Sequence, residues 1–304
     1  MPELPEVETI KRGLAKKIIG LIISKVEILN PKTFEGDPKL AEGLEIQDIW
    51  RRGKVLGIDL ATLPNKDDLL TLLFHLKMSG QIILVSNQKP SRSNPAPDFA
   101  GGHPTKDMLT GNLPNNSTRA VFHLTDKKRG SSFRLFFNDQ RKFGWIKLND
   151  PEQVKSHKFL NALGPEPLEK DFTWQILKTN LLKHPKMPVK VALMDQSVVA
   201  GVGNIYANEA CFIAKIDPRR RVGTLIDSDF QNIKQGIVQS LESSLELGGS
   251  TRSHFVNESG EKGYFLDQAF VYDREDQGCR VCGKLIKKIK LGGRGTFYCP
   301  NCQK

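Results

Sequence analysis

Residues 279–302 read CRVCGKLIKKIKLGGRGTFYCPNC. Two Cys-x2-Cys pairs, Cys279/Cys282 and Cys299/Cys302, are separated by 16 residues and use four of the chain's five cysteines. Each pair can sit on a tight turn and offer two thiolates to one tetrahedral ion, so the spacing predicts one structural zinc on a β-hairpin. The competing reading is a pair of disulfides, and nothing in the composition points to an oxidising compartment. From Cys279 to Lys304 there are seven basic residues and no acidic one. Four thiolates and Zn2+ sum to −2, which leaves about +5 on the metal-bound segment, a charge suited to phosphate contact. The plainer alternative is a finger that only staples the C-terminus.

Upstream of the finger the pattern is helical. In Ser228–Leu247, Ile233, Ile237, Leu241 and Leu245 recur every four residues, and Gly248-Gly249 ends the run. Phe172–Leu182, Val189–Asp195 and Asn204–Ala214 read as shorter helices, the last with Asn204 as N-cap. Cys211 reads there as a small buried apolar residue. Asp150–Pro167 reads as a linker. Further upstream the period changes to short β-rich runs: Ile22–Ile28, Ile46–Trp50, Val55–Leu60, Leu69–Leu76, Gln81–Val85, Arg119–Leu124, Ser132–Phe137 and Gly144–Leu148. Short strands separated by turns predict a sandwich or barrel. Asn87–Ser117 is rich in Pro, Asn, Ser and Gly and reads as a long mobile surface loop. Val7, Ile10, Leu14 and Ile18 fall on one face of a helix over Pro5–Ile18. The fold class is therefore α+β multidomain. It has a strand-rich part over 1–150, a sandwich or barrel with an N-terminal helix, then a helical domain over 151–265 and a zinc-finger hairpin over 266–304.

Length and charge bound the function. A chain of 304 residues suits two domains of ~150 residues. With 45 Lys plus Arg against 34 Asp plus Glu, the net charge is +11, which favours a polyanionic partner, most simply nucleic acid. No apolar run approaches the ~18 residues of a membrane helix, and the N-terminus lacks the basic and apolar regions of a secretory signal. The expectation is an intracellular protein without a membrane partner.

Several short constellations can carry chemistry. If Met1 is removed, Pro2 becomes a free secondary amine with an α-amine pKa near ~8, a competent nucleophile near neutral pH. Attack by that amine on a sugar carbon gives an iminium directly, and Glu3 beside it can move protons. Gly201-Val202-Gly203-Asn204 opens a helix, where free N–H groups favour an anion. Lys54 lies in Arg51-Arg52-Gly53-Lys54 between two strand-like runs, where a basic hairpin turn is the bland explanation. In Asp139-Gln140-Arg141-Lys142-Phe143-Gly144, Arg141 and Phe143 are two apart and share a side of an extended segment. Such a pair can wedge into a duplex, although a buried Phe is the commoner use.

These pieces resemble a known family. Met1-Pro2-Glu3-Leu4-Pro5-Glu6-Val7-Glu8-Thr9 is similar to the N-terminal signature of bacterial formamidopyrimidine-DNA glycosylases. Arg51-Arg52-Gly53-Lys54, His75-Leu76-Lys77-Met78-Ser79-Gly80, Arg141-x-Phe143-Gly144, Leu193-Met194-Asp195 and Gly201–Ala207 continue the resemblance in order. Arg294-Gly295-Thr296-Phe297-Tyr298-Cys299 completes it within the finger. The resemblance implies an N-terminal β-sandwich, a helix–two-turn–helix domain and the zinc finger, with DNA held between them. It implies a bifunctional enzyme that binds damaged double-stranded DNA, excises 8-oxoguanine and formamidopyrimidines, and cuts the strand by β,δ-elimination. It assigns Pro2 as the Schiff-base nucleophile, Glu3 as general acid/base, Lys54 as a phosphate contact or proton-transfer aid, and Arg294 as a phosphate contact that supports δ-elimination. Met78, Arg141 and Phe143 would fill the space left by the flipped nucleotide, with Arg141 facing the opposite base. Asn204 would bind backbone phosphate, and Lys186 and Tyr206 complete the implied DNA-binding set. With no coiled-coil or other oligomer signal in the sequence, a monomer is expected, in the cytoplasm and associated with the nucleoid.

The chain also departs from the family pattern. Asn116-Ser117-Thr118 stands where a Lys-His-rich segment is usual, Ser197 replaces a common Lys, and Thr251-Arg252-Ser253-His254 is atypical. The Glu258–Phe265 loop keeps Gly260 and Gly263-Tyr264-Phe265 and is expected to cover the flipped base. Three alternatives stand beside this reading. One is endonuclease VIII-like excision of oxidised pyrimidines, one is a non-catalytic DNA-binding paralogue, and one is an unrelated N-terminal-proline enzyme acting on small carbonyl compounds. The last gives the basic finger no role.

Overall fold

Helix α1 (Leu4–Ile18) buries the apolar face that its periodicity marks: Val7, Ile10, Leu14 and Ile18 are all buried. Glu3 precedes it, and the Glu3 N–H donates to Glu6 Oε2 at 2.8 Å, satisfying one amide at the helix start. The computed structural model describes residues 2–62, 69–87, 97–102, 113–250 and 263–304. The segment 251–254 and most of the 258–265 loop lie outside the described residues. The chain divides into two compact units, Met1–Asn161 with Gly248–Gly263, and Ala162–Leu247 with Tyr264–Lys304.

In the first unit, ten strands follow α1. They are β1 (Ile22–Ile28), β2 (Phe34–Glu35), β3 (Glu45–Arg52), β4 (Val55–Ala61), β5 (Leu70–His75), β6 (Gly80–Ser86), β7 (Phe99–Gly102), β8 (Thr118–Asp126), β9 (Ser131–Asp139) and β10 (Trp145–Asn149). They pair in the order β2-β10-β5-β4-β3-β1-β8-β9-β6-β7, antiparallel except for β2 with β10. The sheet folds over on itself. Phe74 on β5 lies 5.8 Å from Phe122 on β8 and 5.9 Å from Phe137 on β9, ring centre to ring centre. In a flat sheet the four strand spacings from β5 to β8 would separate those rings by roughly 19 Å. The two halves therefore face each other across one apolar core, the sandwich of the two arrangements that the short strands predict.

Three expectations need correction. Asn87–Ser117 is not wholly loop, because β7 is a buried strand. Gly101 gives β7 its close seat, since a Cβ there would come within 2.5 Å of Ile10 Cγ1 on α1. Asp150–Pro167 is not a plain linker. It holds two short helices, α2 (Pro151–Lys155) and α3 (Lys158–Asn161), and Asp150 caps α2 by accepting the Gln153 N–H at 2.8 Å. The third concerns Asn204, which is the first residue of its helix, with Gly203 as the N-cap.

In the second unit, the helices are α4 (Trp174–Leu181), α5 (Val189–Leu193), α6 (Asn204–Ile213), α7 (Asp227–Glu246) and α8 (Phe265–Gln268). Ile233, Ile237 and Leu241 of α7 are buried, as their spacing predicts. The hairpin of β11 (Lys287–Leu291) and β12 (Arg294–Tyr298) closes the chain. Its turn carries Gly292 at φ +56°, where a Cβ would also come within 2.8 Å of Val191 on α5.

Candidate active site

Pro2 and Glu3 are both buried at the head of α1 in the first unit. Glu6 is the anchor of this region. Besides the Glu3 amide, its carboxylate accepts the Ser250 N–H at 2.9 Å and the Ser250 hydroxyl at 2.7 Å. Two residues on, Glu8 accepts from Lys11, Arg12 and Arg51. Burial pushes the Glu8 carboxyl up, but the hydrogen bonds from Lys11 and Arg51 outweigh it and hold the group at about 2. Arg51 also donates to the Gly53 carbonyl at 3.1 Å. It thereby ties the β3–β4 turn, and Lys54 in it, to the first turns of α1.

Lys54 is only 5% exposed. It shares its surroundings with His75 and Lys77. Burial, then the charges of Lys77 and Lys54, push the His75 imidazole down to about 3, so the ring is neutral. His75 Nδ1 accepts the Lys77 N–H at 3.0 Å, which leaves the ring proton on Nε2. The imidazole packs 5.5 Å from both Trp145 and Phe159.

Met78 and Ser79 lie on the turn between β5 and β6, and Arg141 and Phe143 on the turn between β9 and β10. The structure brings these two turns together. Asp139 accepts from Ser79 Oγ and from the amides of Arg141 and Gly144. The Arg141 guanidinium lies 5.2 Å over the Phe143 ring, and Phe143 is 57% exposed. The commoner buried Phe is therefore not what this position holds.

In the second unit, Asn204 accepts from Lys190 Nζ at 2.5 Å and donates to the Gly295 carbonyl at 3.2 Å. This sets Asn204 beside the residue that follows Arg294, whose side chain stands exposed at the start of β12. Lys186 is exposed on the segment between α4 and α5. Tyr206 is the exception among the sequence candidates. It is fully buried, with its hydroxyl 2.6 Å from Ser244 Oγ and its ring 5.4 Å from Phe265. Its side chain therefore faces the interior of the second unit, unlike those of Arg294 and Lys186. Ser197 donates through both its N–H and its hydroxyl to Asp195 Oδ1, so it secures a turn.

The four finger sulfurs lie within 4.8 Å of one another. Cys279 and Cys302 are 3.9 Å apart, and Cys282 and Cys299 are 3.5 Å apart. A tetrahedral zinc with bonds of about 2.3 Å needs sulfur–sulfur edges of about 3.8 Å. These distances are far beyond a disulfide bond of about 2.05 Å, so the donors fit one zinc ion and the disulfide alternative falls. Cys211 is buried elsewhere, and burial pushes its thiol up to about 12, an inert core residue.

Sequence reasoning missed the residues that hold these groups in place. Asn208 accepts the Phe297 N–H at 2.7 Å, and Glu209 accepts the amides of Phe270, Val271 and Tyr272. A carboxylate inside the apolar run Ala207–Phe212, and a second Asn four residues after Asn204, were the available signals. Burial raises the Glu209 carboxyl, and the three backbone donors oppose that shift.

Comparison with known proteins matches three regions of the chain to known families. The formamidopyrimidine-DNA glycosylase N-terminal domain matches residues 1–146, its H2TH domain matches 163–256, and a zinc finger found in FPG and IleRS matches 277–304. The chain belongs to the formamidopyrimidine-DNA glycosylase family. The formamidopyrimidine-DNA glycosylase of Listeria monocytogenes serotype 4b is 35% identical over 309 residues, with all of both chains covered. That of Methylococcus capsulatus is 38% identical over 308 residues, again covering both chains. Among solved structures, a Lactococcus lactis Fpg complex with abasic-site DNA is 31% identical at TM-score 0.79, covering 99% of each chain. A mutant of that enzyme with Fapy-dG DNA is 31% identical at TM-score 0.80, covering 100% of each. MutM (FPG) of Thermus thermophilus is 31% identical at TM-score 0.78, covering 99% of this chain and 98% of that one. Family membership makes the chain a DNA repair glycosylase with one structural zinc, and cleavage at the abasic site is the family's second activity. No helix among the described residues is long and apolar enough to cross a membrane.

Proposed function

We propose that this chain excises oxidised purines from damaged double-stranded DNA with Pro2 as nucleophile, and then cleaves the strand by β,δ-elimination. The observation that carries the reading is the head of α1. Pro2 and Glu3 are held there in a buried setting, with the Glu3 amide fixed by Glu6. With Met1 removed, the Pro2 nitrogen attacks C1′ while the bond from C1′ to the base breaks and the leaving base takes a proton. Opening of the sugar ring leaves an iminium on Pro2. Loss of a C2′ proton then expels the 3′-phosphate, loss of a C4′ proton expels the 5′-phosphate, and water releases Pro2. Glu3 carries the protons at the sugar.

Lys54 and Arg294 serve the phosphates, Arg294 supporting the second elimination. Asn204 and Lys186 hold the backbone, and Met78, Arg141 and Phe143 occupy the gap left by the extruded nucleotide. Support for the lesion class comes from relatives whose solved complexes contain Fapy-dG and abasic-site DNA. In this reading the chain works as a monomer in the cytoplasm on nucleoid DNA, organised as 1–150, 151–265 and 266–304. Parallel single-turnover assays on duplexes carrying 8-oxoguanine or thymine glycol test it. Faster release of 8-oxoguanine is expected, and a reversed preference would replace the lesion class with oxidised pyrimidines.

A further inference from the structure

The wedge of Met78, Arg141 and Phe143 is drawn from two separate turns, and a wedge needs a fixed shape. One buried carboxylate joins them. Asp139 is 1% exposed and ends β9. Its Oδ1 accepts the Ser79 hydroxyl at 2.5 Å and the Arg141 N–H at 3.2 Å, and its Oδ2 accepts the Gly144 N–H at 2.6 Å. Ser79 Oγ in turn accepts the Arg141 N–H at 3.0 Å. The carboxylate thus brackets Arg141, Lys142 and Phe143 from both ends and reaches the neighbour of Met78. Its own backbone is fixed as well, because its N–H donates to the Ser117 carbonyl at 2.8 Å and its carbonyl accepts from Arg119 Nε at 2.8 Å. Lys142 sits at φ +59°, so the tip of the turn holds a conformation that a non-glycine residue rarely adopts unaided. Gly144 has no room for a side chain, since a Cβ would come within 2.8 Å of Phe137 and 3.1 Å of Asp139 Oδ2.

We propose that Asp139 is the positioning residue of the wedge, clasping the Arg141–Phe143 turn to the Met78-Ser79 turn so that the three side chains enter a duplex as one body. The inference rests on the wedge roles proposed above. Asp139 itself touches no reacting atom. Its loss acts on extrusion of the lesion from a paired duplex and leaves elimination at an existing abasic site nearly untouched.

The test is Asp139→Asn, which keeps size and one acceptor but sets an NH2 group against a backbone donor or the Ser79 hydroxyl. Single-turnover release of 8-oxoguanine opposite cytosine should fall about 10-fold or more, the order expected when a fixed geometry is loosened. Cleavage of a preformed abasic site should change by less than about 3-fold, since the cost of a loosened geometry falls on the extrusion step alone. Ser79→Ala, which removes one arm of the clasp, should show the same split more weakly. Equal loss of both activities at an unchanged melting temperature, or no loss of either, would overturn the clasp. Phe143→Ala is run beside it. If Phe143→Ala lowers base release and Asp139→Asn does not, only the clasp fails. If Phe143→Ala has no effect, the wedge reading itself fails.

Discussion

Two of the proposed catalytic residues, Glu3 and Lys54, are placed through backbone contacts from neighbours that do no chemistry. Glu3 stands at the head of α1 because Glu6 binds its amide, and Lys54 stands beside α1 because Arg51 links Glu8 to the Gly53 carbonyl. Glu3→Gln should retain duplex binding and lose base release by about 100-fold or more, within the range for a general acid/base group. Comparing a gel-shift titration with a glycosylase assay checks that split. His75 supplies a pH prediction. Its folded pKa of about 3 lies below the ordinary 6.5, so the unfolded chain binds the proton first. Stability is therefore complete above pH 6.5 and falls as the pH drops toward 3, by about 1.4 kcal/mol per pH unit from this residue. Urea unfolding at about pH 7, 5.5 and 4.5, values chosen to span that window, should show a shallower decline in His75→Asn than in the native chain. The four cysteines were legible because residue type and spacing carry a zinc site, and Pro2 and Glu3 stood out as candidates by residue type and position alone. Glu6, Arg51 and Asp139 were not, since each also binds a partner far off in sequence: Ser250, Glu8 and Ser79.

At the level of elements, apolar period was a sound guide wherever a side chain had a partner to pack against. α1, α7 and eight of the strands follow it closely. β7 escaped because Phe99–Gly102 ends in two glycines, which carry no period. The space it occupies was set by α1, which the local sequence cannot register. Gly101→Ala should destabilise the first unit by about 1–3 kcal/mol through overpacking on Ile10, read from chemical denaturation. Tyr206 shows the opposite limit. Its place beside Asn204 in a family motif suggested a contact, yet a residue two positions along a helix points to another face, here toward Ser244 and Phe265.

Across the whole molecule, a net charge of +11 and a finger without acidic residues suit a partner bound through its phosphates. The finger's apolar packing is small, and it includes Phe212, Val271, Ile286 and Phe297 around the cysteines. Zinc removal should therefore unfold the hairpin and move Arg294 away from Asn204, whose Nδ2 bonds the Gly295 carbonyl. Chelation should weaken duplex binding and flatten its salt dependence, with sheet circular dichroism from the first unit retained. Arg294→Ala alone should lower the slope of log affinity against log salt by about 1 if it neutralises one phosphate.

The most direct measurement is borohydride trapping. Full-length protein with Met1 removed is reduced in the presence of a duplex carrying one 8-oxoguanine, and the adduct is mapped by mass spectrometry. One covalent DNA adduct is expected on the N-terminal peptide, at the Pro2 nitrogen. An adduct on a lysine such as Lys54, or no adduct with either 8-oxoguanine or a bare abasic site, would contradict Pro2 as the nucleophile.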